Sequence, residues 1–126
     1  MNLPIATILF AGAMPWICAG IAKAGKRSYD NQNPRAWLAQ QTGYRARANA
    51  AQANCFEAFP LFAAGILLAL FTDVPNEEVE LYAGIFIVAR IAYIAFYLSD
   101  KDKLRSLAWL VGVGSSVALL LASMVD

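Results

Sequence analysis

Two opposite charges, Glu57 and Arg90, stand inside stretches of sequence that are otherwise apolar. A charge within a membrane span costs on the order of 3 kcal/mol by insertion scales, so spans that keep one generally put it to use. The polar side chains around these two are patterned. At about 100° per residue, Arg47, Ala50, Asn54 and Glu57 fall within about one quarter of a helix circumference, and Arg90, Tyr93 and Tyr97 within a narrower arc. Each of two helices therefore carries a single polar stripe. The sequence contains no histidine, which removes the commonest metal ligand and general base, and no metal is expected. Cys18 and Cys55 lie in apolar stretches and read as buried free thiols packing as small hydrophobes, rather than as a disulfide framework.

Depth brings the two stripes together. The link between their helices is centred near Asp73 and Val74, and both helices rise about 1.5 Å per residue. Residues equidistant from that centre share a level: Glu57 with Arg90, Asn54 with Tyr93, Ala50 with Tyr97. A buried acid level with a buried base predicts an ion pair. That pair can simply lock two helices, or it can belong to a polar pocket open to the cytoplasmic side. The pocket would be lined by Arg47, Asn54, Glu57, Tyr93, Tyr97 and Arg105 and would suit a small zwitterionic or anionic ligand.

The elements that must position these residues follow from composition. Of 126 residues 60% are hydrophobic and 15% charged, against nearer one half and one quarter in soluble domains. The apolar residues gather in four blocks, which predicts spans over about residues 3–22, 45–71, 79–98 and 104–124. The first block has no positive n-region before it and reads as a retained span rather than a signal peptide. Residues 36–41 suggest a short interfacial helix anchored by Trp37. Pro75 and Asn76 suggest the turn of an acidic link between the second and third spans. Gly112, Gly114, Ser115, Ser116 and Ala118 give the fourth span a small-residue face for close packing. The expected fold is all-α, a single-domain integral membrane four-helix up-and-down bundle.

Orientation follows from the basic residues. Lys23, Lys26, Arg27, Arg35, Lys101 and Lys103 occupy the first and third connections, and the second has none. The positive-inside rule then places both basic loops in the cytoplasm and both termini outside. The formal net charge of +1 gives no reason to expect nucleic acid as a partner; the lipid bilayer is the expected one. A small four-span exporter would carry its essential carboxylate in the first span, and residues 3–22 contain no ionisable side chain.

The segment from Arg47 through Gln52, Asn54, Cys55 and Glu57 to Pro60 resembles the second-helix signature of the membrane-associated proteins in eicosanoid and glutathione metabolism. Ala89-Arg90, Tyr93 and Tyr97, followed by Arg105, resembles the third-helix signature of that family. The resemblance implies a homotrimer with glutathione as co-substrate at subunit interfaces near the cytoplasmic face. It implies that Asn54 and Glu57 hold the glutamyl end of glutathione and that Gln52 adds a contact from a neighbouring subunit. Arg90, Tyr93 and Tyr97 would complete the wall, and Arg105 would stabilise the thiolate as the catalytic residue. The sequence departs from the family at Ala50, where catalytic relatives usually carry an arginine for a glutathione carboxylate; Arg47 or Arg27 are the candidates to compensate. The expectation is a glutathione-dependent transferase or peroxidase acting on a lipophilic small molecule, an electrophile or a lipid hydroperoxide. The alternative is a non-catalytic relative that binds a lipid or a partner protein in the same groove.

Overall fold

The computed structural model describes residues 2–125, and every regular element among them is a helix. In chain order they are α1 (Leu3–Lys23), α2 (Pro34–Ala39), α3 (Gly43–Phe71), α4 (Asn76–Leu98) and α5 (Asp102–Ala122). Four of them, α1, α3, α4 and α5, are long and apolar enough to cross a membrane. These are the four predicted spans, and the all-α four-helix plan is the one the apolar blocks imply.

The helix ends show why the chain folds into these lengths. The Asn2 side chain accepts a hydrogen bond from the Ile5 N–H at 3.3 Å, and Pro4 lies in the first turn of α1, where no amide partner is needed. Both short reversals turn on an aspartate. Asp73 (φ 58) and Asp100 (φ 61) adopt the left-handed conformation, which Asp tolerates better than most side chains. Across them the Val74 N–H donates to the Ala69 carbonyl at 3.0 Å and the Lys101 N–H to the Phe96 carbonyl at 2.9 Å. That is the six-residue closure that satisfies orphan carbonyls at a helix end. The turn expected at Pro75 and Asn76 is thus made by Asp73. Pro75 instead precedes α4, which starts three residues before the expected boundary because Glu77 and Glu78 suit the positive end of a helix dipole.

At the bundle's centre α3 packs against α1, α4 and α5. Phe62 of α3 stacks on Phe86 of α4, centroids 3.7 Å apart and planes 4° from parallel, within a cluster that includes Ile66, Val79, Ala83 and Leu119. Gly65 lets α5 approach closely: a Cβ there would lie 3.1 Å from Leu119 Cβ and 3.2 Å from the Ser116 carbonyl oxygen. On α5, Gly112, Ser115 and Ser116 are buried and Gly114 is exposed, so part of the small-residue face is the packed one. Leu9, Trp16, Phe71, Leu81, Val88, Leu107 and Leu110 face outward, as lipid-facing positions must. Trp37 departs from expectation. It is buried at 8% exposure beside Ala22, Leu38 and Ala48, with its ring edge-on to Tyr29 at 5.1 Å. The short helix α2 is therefore held by packing onto α1 and α3 rather than anchored in lipid headgroups.

Candidate functional site

Arg90 is the deepest charged side chain, 2% exposed. Its Nη1 donates to Asn54 Oδ1 at 2.8 Å and its Nη2 to Cys55 Sγ at 3.2 Å. Asn54 Nδ2 in turn donates to Glu57 Oε2 at 3.3 Å. The expected Glu57–Arg90 ion pair is thus replaced by a relay through Asn54. Level was legible to about one turn, since the count set Asn54 beside Tyr93 whereas Asn54 meets Arg90, and rotation was not legible. Arg90 approaches α3 between the directions of Asn54 and Cys55, and at about 100° per residue Glu57 is turned away by roughly 110°. Glu57 is accordingly exposed on the subunit surface.

From Arg90 the polar stripe of α4 continues toward the cationic end of the bundle as a ladder. The Arg90 guanidinium carbon lies 4.2 Å from the Tyr93 ring centroid, and the Tyr93 and Tyr97 rings meet edge-on at 5.6 Å. Arg105, at the start of α5, covers the Tyr97 ring at 4.4 Å. A cation–aromatic contact holds a guanidinium by attraction to the ring face, with no carboxylate to neutralise it. Arg105 therefore keeps positive potential for a ligand, while Arg90 is buried against Asn54 and Cys55. Asn54 and Glu57 also line a cleft of about 200 Å³ with Ala58, Leu61, Phe86, Trp109, Val113 and Ser116.

Six of the expected site residues, Asn54, Glu57, Arg90, Tyr93, Tyr97 and Arg105, thus form one connected cluster within a subunit. Two do not. Arg47 donates through Nε and Nη2 to the Leu98 carbonyl at 3.2 and 3.1 Å, which caps the C-terminal end of α4 and suits its dipole. That guanidinium thus spends two of its five N–H donors at the end of α4. Gln52 lies on a different face, in a cleft of about 420 Å³ shared with Arg35, Asn49, Ala50 and Phe56. Sequence reasoning missed Cys55 as a partner of Arg90, although its place one residue after Asn54 puts it on the adjoining face of α3. It also missed Arg45, whose Nη1 donates to the Ala22 carbonyl at 2.9 Å and ties α3 to the end of α1. Among the described residues no group of three His, Cys, Asp or Glu side chains is placed to hold a metal ion.

Comparison with curated proteins and with solved structures returns no match. The sequence profile of the MAPEG family matches residues 3–125. That match spans nearly the whole chain, both polar stripes and all four long helices included, and the protein belongs to the MAPEG family.

Proposed function

We propose that the protein is a membrane-bound glutathione-dependent transferase or peroxidase acting on lipophilic electrophiles or lipid hydroperoxides. The observation that carries this reading is the ladder from Asn54 through Arg90, Tyr93 and Tyr97 to Arg105. It presents hydrogen-bonding groups at mid-depth and an uncommitted guanidinium at the end expected to face the cytoplasm, where a water-soluble thiol enters. Asn54 and Glu57 suit the glutamyl end of glutathione, with its ammonium near the Glu57 carboxylate. Arg105 stabilises the glutathione thiolate, because a nearby cation favours the ionised form of a thiol. The thiol proton passes to water, and the sulfur attacks a dissolved lipophilic substrate. At an electrophilic carbon the new S–C bond either expels a leaving group with its electron pair or pushes that pair onto an acceptor atom, which takes a proton from water. At a hydroperoxide the sulfur attacks the outer oxygen, the O–O bond breaks and the alkoxide leaves as the alcohol after protonation by water; a second glutathione then attacks the sulfenic sulfur, releasing water and giving glutathione disulfide.

Assembly as a homotrimer is part of the same proposal. On an isolated subunit the exposed Glu57 and the half-exposed Asn49 and Gln52 would face lipid, at a cost that a neighbouring copy of α3 would remove. Gln52 then reaches a ligand bound against the adjoining subunit. The bundle lies with its basic connections in the cytoplasm and both termini outside.

One observation favours a second reading, a non-catalytic relative that binds a lipid or partner protein in the same groove. Ala50 supplies no carboxylate-binding arginine, and Arg47 is held by the Leu98 carbonyl. Ultraviolet difference absorbance on the purified protein separates the two. A thiolate band that saturates with glutathione supports the enzyme, and neither band nor binding at millimolar glutathione removes it.

A further inference from the structure

The chain has two free cysteines, Cys18 and Cys55. Both belong to one packed cluster of buried side chains, Cys18 from α1 and Cys55 from α3. Cys18 is 0% and Cys55 3% exposed. Arg90 closes the group from α4, with its Nη2 directed at Cys55 Sγ at 3.2 Å. A buried cysteine is ordinarily inert packing. Here two thiols and a buried cation converge from three helices, and the glutathione site as proposed uses neither sulfur.

We infer that Cys55 and Cys18 form a peroxide-oxidisable dithiol, with Cys55 as the attacking sulfur, Cys18 as the resolving one and Arg90 as the counter-charge. The reacting form of a thiol is the thiolate, and only Cys55 has a guanidinium N–H on its sulfur. The oxidant is hydrogen peroxide, small enough for a site this enclosed. Cys55 sulfur attacks one peroxide oxygen, the O–O bond breaks, and the departing hydroxide takes up the thiol proton as water. Cys55 is left as a sulfenic acid, oxidised by two electrons. Cys18 sulfur then attacks Cys55 sulfur; the S–O bond breaks, and the hydroxyl leaves with the Cys18 proton as a second water. One peroxide and two thiols give one disulfide and two waters, and the disulfide staples α1 to α3. A small dithiol reductant reverses it. This inference does not depend on glutathione turnover.

The test is hydrogen peroxide titration of the purified full-length protein in detergent, then removal of the peroxide and unfolding in denaturant, where alkylating agent, dimedone or dithiothreitol is added before intact mass and peptide mapping. Met124, at 77% exposure, reports the delivered dose as its sulfoxide. Wild type should lose both alkylatable thiols and two hydrogens, with Cys18 and Cys55 in one linked peptide, and regain them with dithiothreitol. Cys18→Ser should stop at a sulfenic acid on Cys55 that dimedone traps, whereas Cys55→Ser should keep Cys18 reduced. Cys18→Ala and Cys55→Ala provide the same readouts if a serine variant elutes as aggregate. Conversion of Met124 to sulfoxide with both cysteines still alkylatable would overturn the inference. So would a disulfide only between chains, or oxidation of Cys18 in Cys55→Ala.

Discussion

At the scale of single residues, the arginines divide by what they hold. Arg45 and Arg47 are spent on the carbonyls of Ala22 and Leu98, Arg90 is enclosed by Asn54, Cys55 and Tyr93, and Arg105 rests on Tyr97 alone. Their substitutions should therefore fail differently. Arg105→Ala should lower turnover by about 10²-fold, the scale of losing one donor to a developing charge, with an unchanged elution volume and melting temperature. Unchanged turnover would remove Arg105 from the chemistry. Arg47→Ala should do the reverse: a loss of about 1–2 kcal/mol, because a charge-assisted bond to a helix end is lost, with glutathione affinity retained. Thermal unfolding in detergent beside a binding titration reads both quantities. Glu57 is exposed on the subunit and, among the described residues, makes one polar contact, with Asn54. Glu57→Gln should accordingly leave subunit stability intact and weaken glutathione binding.

At the scale of elements, the close approach of α3 and α5 rests on Gly65. A methyl group there would press on Leu119 Cβ at 3.1 Å and the Ser116 carbonyl at 3.2 Å, and the carbonyl belongs to backbone that cannot turn aside. Gly65→Ala should cost about 1–3 kcal/mol by overpacking. Gly114→Ala, with nothing within 4 Å of its Cβ position, serves as the matched control; equal melting temperatures for the two variants would show that α3 and α5 stand further apart. The same helices show what the sequence could convey. Spans are written in long runs of apolar residues, so four helices were legible to within a few residues at each end. The level of α3 against α4 was legible to about a turn, because a short link fixes depth by counting, though the count set Asn54 beside Tyr93 and it meets Arg90. Rotation was not. Whether Arg90 meets Asn54 and Cys55 or Glu57 depends on how α3 is turned against α1, α4 and α5, which is decided by packing of residues far from the polar stripe. Trp37 misled for a related reason: its affinity for an interface is an average tendency, and a local cluster with Tyr29, Leu38 and Ala48 outweighs it.

At the scale of the whole molecule, the distribution of polarity over the bundle bears on assembly and on orientation together. Leu81, Val88, Leu107 and Leu110 make an outer face of α4 and α5 fit for lipid, and the groove between those helices, from Glu80 to Phe96 and Leu104 to Val111, is almost wholly apolar. The exposed sides of α3 differ, carrying the half-exposed Asn49 and Gln52 on one and the exposed Glu57 on another. Polar groups facing hydrocarbon are costly, and a protein neighbour is the usual remedy. If α3 faces its own copies around a threefold axis, native mass spectrometry from mild detergent should give three chains per particle. Single cysteines at Gln52, placed in a Cys18→Ala, Cys55→Ala background, should then crosslink between chains, whereas cysteines at Val88 should not. A monomer in every detergent, with Gln52 cysteines that never crosslink, would leave Gln52 without a partner subunit to serve. The same background fixes orientation. A cysteine at Lys103, beside the Asp100 reversal, should react with a membrane-impermeant maleimide only after the membrane is opened. One at Asn76, at the opposite end of α4, should react in intact cells. The reverse pattern would place Arg105 on the side away from cytosolic glutathione, and the proposed entry of the thiol from the basic end would have to be abandoned.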